Sequence, residues 1–283
     1  LSVRAPSRAD ADFQYIIHNA DGAEVEHCGN GARCFVRYVR EQGLTDKCRV
    51  RVKVHGGVIT LHQRADGLVS VDMGAPIWDL PRIPFDPLHA QALPSKDIQA
   101  AGRWRIDWPG HSAEITPVSM GNPHAVLWVD DVDNAPVLSW GPVIEHHAAF
   151  PKRVNVGFAH IVSRREIRLR VFERGAGETL ACGTGACAAV VVGQALGMLD
   201  AAVLVHARGG TLEISWSGDA SPVCMTGAAA TVFHRSRPLG QAVAQVARRR
   251  KRTAAAAKTG AACWLRQRSY TLCRSATAGG EKA

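Results

Sequence analysis

The sequence predicts an α+β protein of two pseudo-symmetric domains, each a curved mixed sheet around one central helix. Three observations lead there. Cys28-Gly29-Asn30-Gly31-Ala32 recurs as Cys182-Gly183-Thr184-Gly185-Ala186, and each copy is preceded four residues earlier by a glutamate, Glu24 or Glu178. Short β-rich runs are many, whereas only two segments carry a helical pattern. A loop-rich, Pro-containing stretch at residues 76–101 separates the two copies and reads as their linker.

In chain order, a strand is expected at residues 13–18, then a helix at 31–42 that ends at Gly43. Three strands follow, at 50–55, 58–63 and 68–73, each bounded by turn residues. After the linker come strands at 125–129, 154–160 and 166–172, a second helix at 185–196 ended by Gly197, and a strand at 211–216. The expected domains are 1–85, completed by about 227–234, and 86–226. Beyond them lies an Ala/Arg-rich tail, 235–283, read as unstructured.

With 283 residues, 46% of them hydrophobic, the chain can bury a sizeable core. The formal charge of +9 suggests a polyanionic partner until it is located. The tail holds 12 of the 34 Lys/Arg and one of the 25 Asp/Glu, which leaves 22 cationic and 24 anionic side chains, a net −2, in residues 1–234. The basic character therefore says nothing about the folded body, and nucleic acid is not the expected partner. Eight cysteines are too sparse for a disulfide framework, and with no secretory pattern at the start a reduced, cytoplasmic setting is expected. The apolar run 181–199 is rich in Gly, Ala and Cys and lacks flanking anchors, so it reads as a buried helix rather than a membrane span.

A cysteine just before a helix sits where unpaired N–H groups and the helix dipole favour an anion, which lowers a thiol pKa from about 8.5 toward neutrality. Glycines there let the backbone approach a ligand and aim N–H groups at a carboxylate. A single such site is ordinarily a small residue at a tight turn. Two copies around a pseudo-two-fold axis would aim two thiols at one cleft from opposite sides. Inversion at an amino-acid α-carbon needs that arrangement, one group removing a proton while the other delivers one to the opposite face. A metal site is disfavoured, because neither Cys28 with Cys34 nor Cys182 with Cys187 has zinc-ligand spacing.

Four ordered blocks, residues 19–34, Met120-Gly121-Asn122-Pro123-His124-Ala125-Val126, Asn155-Val156-Gly157, and 173–186, make the chain similar to the diaminopimelate epimerase family over residues 3–233. The resemblance implies barrel-like sheets, no cofactor, a homodimer, and interconversion of LL- and meso-diaminopimelate in lysine and peptidoglycan precursor synthesis. By motif position it implies Cys28 and Cys182 as the catalytic thiols, with His124 and Glu173 tuning them. Gly29, Asn30, Gly183 and Thr184 would present amides to the reacting carboxylate. Asn19, Asn122, Asn155 and Arg174 would hold the substrate, Arg174 through its planar fork of donors. Taken singly, His124 is an ordinary turn histidine, Asn19 and Asn155 are turn caps, and Glu173 with Arg174 is a solvated pair. Their order alongside both cysteine motifs is what favours the functional reading.

Cys34 and Cys187 read as packing thiols, Trp104, Trp108 and Trp128 as filling of the second core, and Arg33, Arg37 and Arg40 as a solvated helix face. Relative to the family pattern, about four dozen opening residues are absent, so an open edge is expected in the first sheet. The tail resembles nothing in the family. Two alternatives stay open at this stage: a related proline or hydroxyproline racemase, and an inactive homologue whose Arg248–Arg252 cluster binds polyanions.

Overall fold

The computed structural model describes residues 2–17, 29–55, 57–94, 102–235 and 270–274. Residues up to Ala229 form one unit. The first copy runs β1 (Ser2–Arg4), β2 (Phe13–Ile16), α1 (Gly29–Glu41), β3 (Arg49–Val54), β4 (Gly57–Gln63) and β5 (Val69–Asp72). After it come β6 (Gln91–Leu93), β7 (Arg103–Trp108), β8 (His111–Ser119), β9 (Pro123–Trp128) and α2 (Val137–Glu145). The second copy is β10 (Asn155–Ser163), β11 (Glu166–Glu173), the short β12 (Gly177–Thr179), α3 (Gly183–Ala195), β13 (Ala202–Ala207), β14 (Gly210–Ser215) and β15 (Cys224–Gly227).

The sequence repeat reappears as topology. In the first copy β1 pairs antiparallel with β2, β2 parallel with β3, and β3, β4 and β5 follow antiparallel. The second copy repeats those senses through β10, β11, β13, β14 and β15. The strand order β1-β2-β3-β4-β5-β15-β14-β13-β11-β10 is therefore a palindrome, continued by β9-β8-β7-β6. Its centre is the antiparallel β5–β15 pair, in register Met225↔Val71 and Thr226↔Ser70. There the Ser70 and Thr226 hydroxyls meet at 2.8 Å. The path does not close among the described residues, and its edges are β1 and β6.

Both helices start two residues earlier than the apolar pattern suggests and stop where expected, at Gly43 (φ +63°) and Gly197 (φ +71°). A third helix, α2, was not expected, since Gly141-Pro142 punctuates its sequence. Packing sustains it: a Cβ on Gly141 would lie 2.5 Å from the Phe172 ring, so only glycine lets α2 lie this close to β11. Strands β1, β6, β7, β8, β12 and β13 were also missed. The linker is packed rather than loose, because its Ile83 and Phe85 are buried.

One apolar cluster runs beneath α1 and α3 and across the β5–β15 junction, with Val36, Val71, Val190 and Met225 among its members. A second lies under β7–β10 and α2, around Ile106, Ile144 and Phe158. Trp104 and Trp108 pack on the second cluster as expected, but Trp128 packs on the first.

The arginines of α1 do not form the expected solvated face. Arg33 is 2% exposed, and its guanidinium donates to the Ala228 carbonyl (Nε, 3.2 Å) and the Met225 sulfur (Nη1, 3.6 Å). Arg37 reaches the Ala229 carbonyl at 2.6 Å, and Arg40 the Gln63 side chain at 2.8 Å. The chain leaving β15 carries carbonyls that need donors, and α1 supplies them. A separate unit begins at Ala230, where β16 (Ala230–Arg235) pairs antiparallel with β17 (Tyr270–Arg274). The rest of the tail lies outside the described residues.

Candidate active site

Cys182 is the N-cap residue of α3 and has extended backbone angles (φ −122°, ψ 112°). Its neighbours Gly183, Thr184 and Gly185 thus carry first-turn amides without partners inside the helix. Cys182 is 6% exposed, with Sγ 3.5 Å from the Thr184 hydroxyl. Burial, followed by the Glu173 charge, pushes its pKa up to about 12, against the smaller pull of the Thr184 hydroxyl and the Gly185 amide. The lowering expected at a helix start is thus opposed by desolvation of the thiolate and by the Glu173 charge.

The loop entering Cys182 is fixed by charge. Arg170 grips Glu178 in a fork, Nε to Oε1 at 2.8 Å and Nη2 to Oε2 at 3.1 Å, and Arg208 adds Nη1 to Oε1 at 3.0 Å. Glu178 is the repeated glutamate of the sequence motif, and these partners give it a structural role. The Gly209 amide also donates to the Leu180 carbonyl at 2.6 Å.

Glu173 ends β11, half-buried, and accepts a hydrogen bond from the Thr179 hydroxyl. A tight turn follows, closed by the Ala176 amide donating to the Glu173 carbonyl at 3.0 Å, with Gly175 at φ +73° as a type II turn requires. The Arg174 amide donates to Asn155 Oδ1 at 3.0 Å, while its exposed guanidinium reaches the Lys152 carbonyl at 3.3 Å. The Gly175 amide donates to Glu145 Oε1 at 2.8 Å. Asn155, 3% exposed, also donates Nδ2 to the Pro123 carbonyl at 2.8 Å, so both ends of its amide are engaged by backbone.

His124 lies beside Asn155 in the parallel β9–β10 register and is 1% exposed. Its Nε2 is 3.0 Å from Asn122 Oδ1, which fits a neutral ring with the proton on Nε2. Burial, with the nearby Arg174 charge, lowers its pKa to about 3.

The other helix start converges on the same place. A Cβ on Gly29 would lie 2.3 Å from Met225 Cε, and one on Gly183 would lie 3.1 Å from Met225 Sδ and 3.7 Å from Asn30 Oδ1. Both helix starts thus press on one methionine at the centre of the palindrome, and a larger residue at Gly29 would require the flexible end of Met225 to move. Asn30 Oδ1 is buried there without a hydrogen-bond partner among the described residues. Cys28 and Asn19 lie outside the described residues. Of the remaining expected site residues, the structure groups Gly29 and Asn30 with Gly183, and Glu173, Arg174, His124, Asn122 and Asn155 around the turn beside Cys182. Sequence reasoning missed Met225 and Glu145.

The family model for diaminopimelate epimerase matches residues 3–78 and 116–232. The chain is 61% identical over 236 residues to the diaminopimelate epimerase of Cupriavidus taiwanensis, covering 83% of this chain and 81% of that relative. It is 58% identical over 242 residues to that of Albidiferax ferrireducens, again covering 83% and 81%. Among solved structures, a hydroxyproline epimerase from Agrobacterium vitis with bound trans-4-OH-L-proline aligns with TM-score 0.56 at 15% identity, covering 80% of this chain and 71% of that one. A probable proline racemase from Agrobacterium radiobacter aligns with TM-score 0.55 at 16% identity, covering 79% and 71%. At such identities these two share the fold alone.

Proposed function

The chain belongs to the diaminopimelate epimerase family and is an isomerase, and from that premise we propose that it interconverts LL- and meso-diaminopimelate through two thiols, Cys182 and Cys28. One thiolate takes the α-proton as the C–H bond breaks, and the electron pair left on the α-carbon spreads into the carboxylate. The other thiol gives its proton to the opposite face and is left as thiolate. Cys182, held in its S–H form by burial and by Glu173, is the donor when Cys28 is the base, and the roles exchange in the reverse direction.

Amides of Gly183 and Thr184 on one side, and of Gly29 and Asn30 on the other, would receive the carboxylate as charge builds on it. Arg174, Asn19, Asn122 and Asn155 would hold the substrate, and neutral His124 would lie at the thiol side without adding charge. The observation that carries the reading is the convergence of two glycine helix starts on Met225. Residues 1–85, completed by 227–234, and residues 86–226 would be the two lobes of the cleft. On this reading the enzyme is a cytoplasmic homodimer that uses no cofactor and serves lysine and peptidoglycan precursor synthesis.

The test is incubation with LL-diaminopimelate in deuterated water, following loss of the α-proton signal by NMR. Exchange in the unaltered chain and its loss in Cys182→Ser supports the reading. Exchange with proline but not diaminopimelate would overturn the substrate assignment.

A further inference from the structure

Glu145 is the last residue of α2, a buried carboxylate whose side chain is 5% exposed. That is an unfavourable place for a negative charge, because a helix C-terminus already carries partial negative charge and burial removes water. Among the described residues the basic groups nearest to it are the Arg153 guanidinium, Nη1 at 3.9 Å, and the His146 ring, Nδ1 at 3.7 Å, both beyond hydrogen-bond distance. The one hydrogen bond it accepts among the described residues, at 2.8 Å, comes from the Gly175 amide. Residues that break a local rule in this way are where function is expected to compensate.

We propose that Glu145 is a positioning residue for the epimerisation, acting through the turn at Glu173-Arg174-Gly175. Two successive amides of that turn are held from two sides: Arg174 N–H by Asn155 at the start of β10, and Gly175 N–H by Glu145 at the end of α2. Gly141 against the Phe172 ring sets how close α2 lies to β11, and so how far Glu145 reaches. Fixed in this way, the turn keeps the Glu173 carboxylate beside Cys182 and sends the Arg174 guanidinium outward, where a substrate carboxylate would meet it. The inference rests on the proposed two-thiol reaction and adds a residue that touches neither thiol nor substrate.

The experiment compares Glu145→Ala, Glu145→Asp and Glu145→Gln with the unaltered chain, using LL-diaminopimelate and, separately, residue-resolved alkylation of Cys182 by iodoacetamide across pH. In Glu145→Ala the loss of the acceptor raises KM about tenfold or more. Its Cys182 alkylation profile moves to lower pH, since the Glu173 charge no longer opposes the thiolate. Glu145→Asp, too short to reach Gly175, behaves the same way and decides the matter if the alanine variant does not fold. Glu145→Gln keeps an acceptor oxygen in place and recovers KM to within about threefold. A folded Glu145→Ala or Glu145→Asp with unaltered KM and an unaltered Cys182 profile overturns the proposal. Absence of exchange in the unaltered chain would count against the proposed function instead, and the alkylation profiles would still decide the role of Glu145.

Discussion

The two copies of the Cys-Gly-x-Gly-Ala motif open helices of the same length, yet those helices live in different surroundings. In α3 every residue from Gly183 to Gly193 is buried, and the helix packs on β8, β9, β10, β11 and β14. In α1 the buried residues are Gly29, Ala32, Arg33, Phe35, Val36 and Val39, and the helix packs mainly on β4 and β5. A motif alone thus specifies where a helix begins and what its first amides can bind. The number of strands wrapped around the helix decides how much water its first turn sees, and hence what the neighbouring thiol does with its proton.

The largest expected effect tests the wrapped end directly. Cys182→Ser should lower the rate of α-proton exchange by about 10² to 10⁴ fold, the usual worth of a positioned acid or base. A smaller loss would mean that burial at α3 serves packing rather than proton transfer.

Next comes acid sensitivity. His124, buried on β9, has a pKa near 3 when folded, against an ordinary 6.5. Between those values the unfolded chain takes up a proton that the folded chain refuses, so stability falls as pH drops through 6.5 toward 3. The loss should reach about 3 kcal/mol at pH 4. Urea midpoints measured from pH 7 to pH 4 would show it, and His124→Gln should flatten the dependence.

The remaining two predictions compare one thiol inside each helix, Cys187 at the fifth residue of α3 and Cys34 at the sixth of α1. Cys187 in α3 is fully buried, with its pKa raised chiefly by desolvation. Cys187→Ser places a hydroxyl in that apolar setting and should cost about 2 kcal/mol in chemical denaturation. Cys34 in α1 is half-buried, and Cys34→Ser should cost under about 1 kcal/mol. Equal costs would mean that Cys34 is packed as closely in solution as Cys187.

Much of the frame was legible because it is written locally. Gly43 and Gly197 stop their helices at positive φ, and the β3, β4 and β5 runs carry turn residues on either side. The repeat was legible too, and the palindrome of strands is its consequence. Arg33 was not legible, because an arginine at helical spacing looks the same whether it faces water or the carbonyls of residues 228–229. Helix α2 was hidden by Gly141-Pro142, and Glu145 was hidden with it, since its partner Gly175 lies 30 positions along the chain.

By itself, then, the sequence determined the duplicated unit, the glycines that allow close approach at two helix starts, and the order of site motifs that marks the family. Those are short-range facts, set by which backbone angles and side-chain groups each residue permits. Only the tertiary structure decided that β5 and β15 join the copies, that Met225 stands between the helix starts, and that burial around Cys182 favours its S–H form. Each of those depends on groups far apart in the chain and on how completely they exclude water from one another.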